Sequence, residues 1–101
     1  MAILAIFTGK GFTKEHYEGL RKEIKWEQNH PIGAIFHAAS FDDKGDAHVA
    51  DVWASPEEMN QFVNSRLMPA MKKLNIPPPT VEVFPAYNVN AYPAIDKYKL
   101  K

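Results

Sequence analysis

Residues 33–55, GAIFHAASFDDKGDAHVADVWAS, decide the fold. Residues 33–41 and 47–54 are short apolar runs flanking Asp42-Asp43-Lys44-Gly45-Asp46, whose glycine supplies positive φ, so the spacing predicts an antiparallel hairpin. Side chains alternate between the two faces of a strand. Setting Phe41 against Ala47 across the loop places Ala39 against Val49, His37 against Asp51 and Ile35 against Trp53. Phe36, Ala38, Ala50 and Val52 fall on the other face and suit helix packing. The His37–Asp51 face is therefore expected to turn away from the helices, toward a cavity shared with a second copy.

Upstream, AILAIF (2–7) before Thr8-Gly9-Lys10-Gly11 suits a buried strand ending in a turn. Thr13 caps a helix, Phe12 before it is placed to staple onto Tyr17, and Tyr17, Leu20 and Ile24 form one apolar stripe. Asn29, His30 and Pro31 are turn chemistry, so 26–31 leaves the helix. Downstream, Ser55-Pro56-Glu57-Glu58 is a helix start with a capping box, followed by Met59, Val63, Leu67, Ala70 and Leu74 at helical spacing. Pro69 removes a backbone hydrogen bond within that run, which predicts a kink or break near Arg66. After the spacer Pro77-Pro78-Pro79, residues 80–89 (TVEVFPAYNV) read as a fourth strand, at an edge because Pro85 cannot donate to a ladder. Residues 90–101 read as an arm ordered only against something else.

The order strand, helix, strand, strand, helix, strand predicts an α+β fold: ferredoxin-like βαββαβ, one four-stranded antiparallel sheet, first and third strands central. A chain of 101 residues supports one domain, with its core in 2–89. Two helices cover one sheet face, yet AILAIF and GAIFHAAS are apolar on both. At roughly 25 cal/mol per Å², several wet apolar side chains forfeit an amount comparable with the stability of a small domain. A second copy is the simplest cover, so a homodimer is expected.

Lys plus Arg equals Asp plus Glu at 12 each, so no net field holds the chain on nucleic acid or an anionic membrane. The absence of cysteine removes disulfides, thiolate nucleophiles and Cys-ligated metals. Residues 1–7 lack the basic region of a signal peptide and are too short for a membrane span, so a soluble, cytoplasmic protein is expected. Gly9 and Gly11 fit neither phosphate-loop nor dinucleotide spacing, and no nucleophile elbow or zincin helix occurs. Any catalysis is expected to be acid/base chemistry without a cofactor.

His37 beside Asp51 carries that expectation, because a carboxylate fixes a histidine's tautomer and raises its basicity. The same pairing would also satisfy two buried groups with no catalytic duty. Trp53, Phe41 and Ile35 are candidate walls for a small-molecule ligand, Tyr17 a candidate hydroxyl and Arg66 a candidate anion contact. Tyr87 and Asn88 on the fourth strand complete the candidate walls. His48 has the wrong parity to join Asp51, and His16 and His30 make no metal-ligand spacing with His37, so no metal is expected.

The element order and HVADVWASPEEMNQFV, an acidic, apolar, aromatic strand running into a capped helix, resemble the dimeric α+β barrel superfamily, which includes the antibiotic biosynthesis monooxygenase-like proteins. RLMPAMKKLNI and VEVFPAYNV are similar to a small bacterial branch of it. The resemblance spans about residues 2–89. It implies a homodimer with a ligand cavity in each protomer, between sheet and helices or facing the barrel. It also implies a choice among cofactor-independent monooxygenases, isomerases and cyclases, haem-degrading enzymes, and non-catalytic ligand-binding or stress-related homodimers. The second helix carries no histidine, which argues against haem.

Overall fold

The computed structural model describes residues 1–100. The elements are β1 (Ile3–Gly9), α1 (Lys14–Ile24), β2 (Ala34–Phe41), β3 (Ala47–Trp53), α2 (Pro56–Phe62), a π-helical stretch (Val63–Leu67), α3 (Met68–Lys73), β4 (Thr80–Pro85) and a 3-10 turn (Pro93–Tyr98). The four strands form one antiparallel sheet in the order β2-β3-β1-β4, the βαββαβ arrangement with β1 and β3 central.

Local chemistry accounts for most element ends. Thr13 caps α1, its hydroxyl accepting from the His16 amide while the His16 imidazole accepts from the Thr13 amide. At α2 the Ser55 hydroxyl accepts from the Glu58 amide, but the Glu58 carboxylate takes the Ser55 hydroxyl proton and not a backbone one. The predicted reciprocal box is thus only half built there. In the hairpin loop Gly45 sits at φ 84°, and Asp42 Oδ1 accepts from the Lys44 and Asp46 amides. The His48 imidazole and those amides hold the Asp42 carboxyl below its ordinary range. Any stability this lends is present above the ordinary carboxylate range and fades as pH falls through the folded value.

Pro69 acts one turn upstream, as its chemistry requires. It has no amide for the Ser65 carbonyl, and its ring crowds that carbonyl. The helix widens there: the Met68 amide reaches back five residues to Val63. The consequence is a π insertion, with α2 and α3 continuing on either side, rather than a break.

The core lies between the helices and one sheet face, in two clusters. Phe12, Tyr17, Leu20, Ile24 and Met71 belong to one, and Ile3, Ala5, Trp53 and Met59 to the other. That face carries His37 and Asp51, with the Tyr17 hydroxyl of α1 bonded to His37 and Phe62 of α2 packed on Trp53. The expected assignment of faces is therefore reversed. Apolar content chose the wrong face because the polar pair is satisfied from within the layer, by donors on Tyr17 and Trp53. Leu4, Ile6, Phe36, Ala38, Ala50 and Val52 share the opposite face, which neither α1 nor the α2–α3 rod covers.

Two further expectations are corrected. β2 bulges between Ala34 and Phe36, so Ala34 and not Ile35 stands opposite Trp53, and Ile35 is 54% exposed. β4 ends at Pro85 and does not run to residue 89; after the Ala86 amide bonds the Ala2 carbonyl, the chain leaves the sheet with Tyr87, Tyr92 and Tyr98 exposed.

Candidate active site

The register of β2 on β3 places His37 directly opposite Asp51, and Ala5 of β1 flanks Asp51 on its other side. A methyl group at Ala5 leaves room above the central strand for the polar pair. The His37 Nδ1–Asp51 Oδ1 distance is 2.6 Å. The other carboxylate oxygen of Asp51 accepts the Trp53 indole N–H at 3.3 Å. From α1 the Tyr17 hydroxyl comes to 2.6 Å from His37 Nε2. An indole can only donate, so Asp51 is the acceptor end of the chain. A neutral His37 then donates from Nδ1, which leaves its Nε2 to accept the phenol proton.

Aromatic packing holds this chain in place. The Tyr17 and His37 rings are nearly parallel, 5° apart with centroids 6.0 Å from each other. Trp26 lies 5.4 Å from Tyr17 and 5.7 Å from His37, and Phe41 meets Tyr17 edge-on. Burial, with Glu27 nearby, pushes the Tyr17 phenol well above its ordinary range, while Arg21 pulls more weakly the other way. The stabilisation from keeping it neutral is present below the ordinary phenol value and is lost as pH rises through the folded one.

The group opens on a cavity of about 300 Å³ between sheet and helices. Phe7, Val49 and Trp53 form its floor, Phe62, Leu67 and Met71 its roof, and Trp26, His30, Pro31 and Ile35 line it from the α1–β2 loop and the bulge. Its polar groups are the Tyr17–His37–Asp51 set, the Trp53 N–H and His30, and no lysine or arginine enters it. No group of three metal-ligating side chains occurs among the described residues.

The candidate residues divide accordingly. His37, Asp51, Tyr17, Trp53 and Ile35 meet in the cavity wall. Phe41 stands behind Tyr17 and does not line the cavity. Tyr87 and Asn88 lie beyond the end of β4, exposed and away from it. Trp26, Phe62, Leu67 and Met71 were missed. The last three stand five and four residues apart, and only the π insertion brings that spacing onto one face.

Arg66 does not point into the cavity. Its Nη2 donates to the carbonyls of Ile24 at 3.0 Å and Asn29 at 2.9 Å, and its guanidinium lies over the Phe62 ring. It thus ties the roof to the loop carrying Trp26 and His30. Replacing Arg66 with Met keeps the aliphatic stem and loses both bonds, for an expected cost of about 1–3 kcal/mol. Amide exchange in residues 25–33 is expected to accelerate while β3 stays protected. Unchanged loop protection would show that Arg66 does not hold the loop.

No family model matches the chain, and no curated protein does. Solved structures do. An antibiotic biosynthesis monooxygenase-like protein from Chloroflexus aurantiacus J-10-fl superposes with TM-score 0.65 at 13% identity, over 90% of this chain and 98% of that one. The chain has the fold of the antibiotic biosynthesis monooxygenase-like proteins. The same fold recurs in Rv0793 from Mycobacterium tuberculosis, with TM-score 0.60 and 12% identity over 89% of this chain and 97% of that one. It recurs too in SnoaB, a cofactor-independent oxygenase from Streptomyces nogalater, with TM-score 0.58 and 16% identity over 87% of this chain and 93% of that one. Identities this low speak to the monooxygenase-like fold and leave chemistry to the site. No helix among the described residues is long and apolar enough to cross a membrane.

Proposed function

We propose that the chain is a small-molecule-binding homodimer that performs cofactor-independent acid/base chemistry on a small apolar or aromatic substrate. His37 is the acid/base group and Asp51 orients it. A monooxygenase, isomerase or cyclase shares the same first step, removal of a proton from an acidic carbon or a phenol. The anion then reacts with dioxygen, reprotonates elsewhere or closes a ring.

One observation carries this reading: a histidine aligned by a carboxylate stands at the polar end of an otherwise apolar cavity of about 300 Å³. That volume is at the small end of ligand sites. The absence of lysine and arginine from the lining favours a neutral ligand over an anionic one. Likeness to SnoaB adds a precedent for cofactor-free chemistry on this fold. The dimer reading rests on the apolar sheet face that no helix covers, where Leu4, Ile6, Phe36 and Ala50 are half-buried.

A second reading, a non-catalytic ligand-binding homodimer, is favoured by the completeness of the pairing. Every buried side-chain nitrogen or oxygen among the described residues has a partner. Proton exchange separates the two. β-Tetralone, a bicyclic ketone with acidic carbon-bound hydrogens, is incubated with the protein in heavy water and followed by proton NMR. Catalysed exchange that falls by roughly 10²-fold or more in His37→Gln supports the acid/base reading. Equal rates in the two proteins remove His37 from the chemistry, and saturable binding without exchange supports the binder.

A further inference from the structure

We propose that the Tyr17 hydroxyl, and neither imidazole nitrogen, is the atom that exchanges a proton with the ligand, with His37 acting through it. This rests on the reading of His37 as the acid/base group and adds the route by which the proton arrives.

The argument begins with the valence of imidazole. The ring has two nitrogens and both are occupied, Nδ1 by Asp51 and Nε2 by Tyr17, each at 2.6 Å. Turning Nδ1 outward would strip Asp51 of that partner and leave its carboxylate with only the longer bond from Trp53. Turning Nε2 outward would orphan a buried phenol. Packing resists either move, since Trp26 lies against both the imidazole and the Tyr17 ring, at centroid separations of 5.7 and 5.4 Å. No imidazole lone pair is left for a ligand.

The phenol oxygen differs. A hydroxyl donates once and still accepts, so Tyr17 can donate to His37 Nε2 while accepting from a ligand in the cavity that it lines. The step then balances. The ligand X–H bond breaks as a new O–H bond forms on the Tyr17 oxygen, and the original Tyr17 O–H bond breaks as N–H forms on Nε2. The electron pair of X–H stays on the ligand as an anion, and the positive imidazolium faces Asp51. Reversing the shifts returns the proton, to the same atom or another. No oxidant or reductant enters. Burial holds the phenol neutral, so Tyr17 relays a proton in one concerted motion and does not rest as phenolate.

The test uses Tyr17→Phe, which keeps the ring and loses the hydroxyl, beside His37→Gln. β-Tetralone exchange is the activity readout and β-naphthol binding, followed by its fluorescence, the occupancy readout. Tyr17→Phe is expected to fold but melt somewhat below the parent, because His37 Nε2 loses its donor, to bind β-naphthol within about threefold, and to lose exchange by roughly 10²-fold. Exchange in Tyr17→Phe at or above the parent rate overturns the proposal while leaving His37 in place, because the freed Nε2 would then be serving the ligand directly. Loss in Tyr17→Phe with none in His37→Gln overturns the underlying reading, and this one with it. Nitrogen NMR of the His37 ring supplies an arm independent of turnover. Adding β-naphthol to the parent should leave Nε2 bonded to Tyr17 with little shift, and a large Nε2 shift from a direct ligand bond overturns the relay even if no exchange is catalysed.

Discussion

Replacing Trp53 with alanine is expected to lower the unfolding free energy by about 3–5 kcal/mol, with a further 1–3 kcal/mol from the acceptor it abandons. The indole is 4% exposed and packs among Ile3, Ala5 and Met59, with Phe62 tilted against it at a centroid separation of 5.4 Å. Truncation opens a cavity where the sheet meets the helical rod. It also leaves Asp51 Oδ2 without its donor, so the carboxylate that aligns His37 is freed to turn. A domain of this size has roughly 5–15 kcal/mol to lose, so the variant stands close to unfolding at ambient temperature. Urea unfolding of Trp53→Ala and Trp53→Phe separates the two contributions. The phenylalanine variant keeps an aromatic ring in the core but loses the N–H and part of the indole's volume, and its deficit should be about half of that of alanine or less. Equal deficits in both would mean that the hydrogen bond, and not the packing, dominates.

Much of this site was legible from strand parity. Register depends on a period of two residues and on the hairpin loop, both of which are local, so His37 could be set against Asp51 and His48 set apart before any tertiary contact was known. What parity cannot supply is which face meets the helices. That choice turned on two long-range partners, Tyr17 and Trp53, whose donors make the polar face the packed one. Ile35 was misplaced because one extra residue at a bulge leaves no mark in an alternating apolar pattern. The roof was missed for a similar reason. Pro69 announced a disturbed helix, but the phase change it causes, which carries Phe62, Leu67 and Met71 onto the cavity, depends on the helix continuing through a π stretch. In the sequence Arg66, near the Pro69 kink, reads as a candidate anion contact or as a paired arginine, and its partners are not local. Its partners are carbonyls that α1 and its following loop leave open some forty residues earlier.

The face left open by the helices makes the other large prediction. Ala50 stands at its centre, paired across the sheet with Ile6 on β1 and Ala38 on β2. Leu4, Phe36 and Val52 share the face, and Phe84 on β4 opposes Leu4 at its margin. If a second copy covers this surface, Ala50→Glu places an unpaired carboxylate between two apolar sheets. Burial of an uncompensated charge costs several kcal/mol, and about 4 kcal/mol is a thousandfold in dissociation constant. Ala50→Glu is expected to sediment as a monomer at micromolar concentration where the parent is a dimer, and to melt lower because the face is then wet. Ser40→Glu is the control: the side chain lies on the same face but opposite His48, near the hairpin loop, where a carboxylate meets an imidazole and solvent. A parent that sediments as a stable monomer contradicts the covered face, and the apolar strands would then need another occupant. A monomeric Ala50→Glu that still binds β-naphthol would show that the cavity, lying between sheet and helices, belongs to a single protomer. Loss of binding together with the dimer would mean that the second copy closes the site.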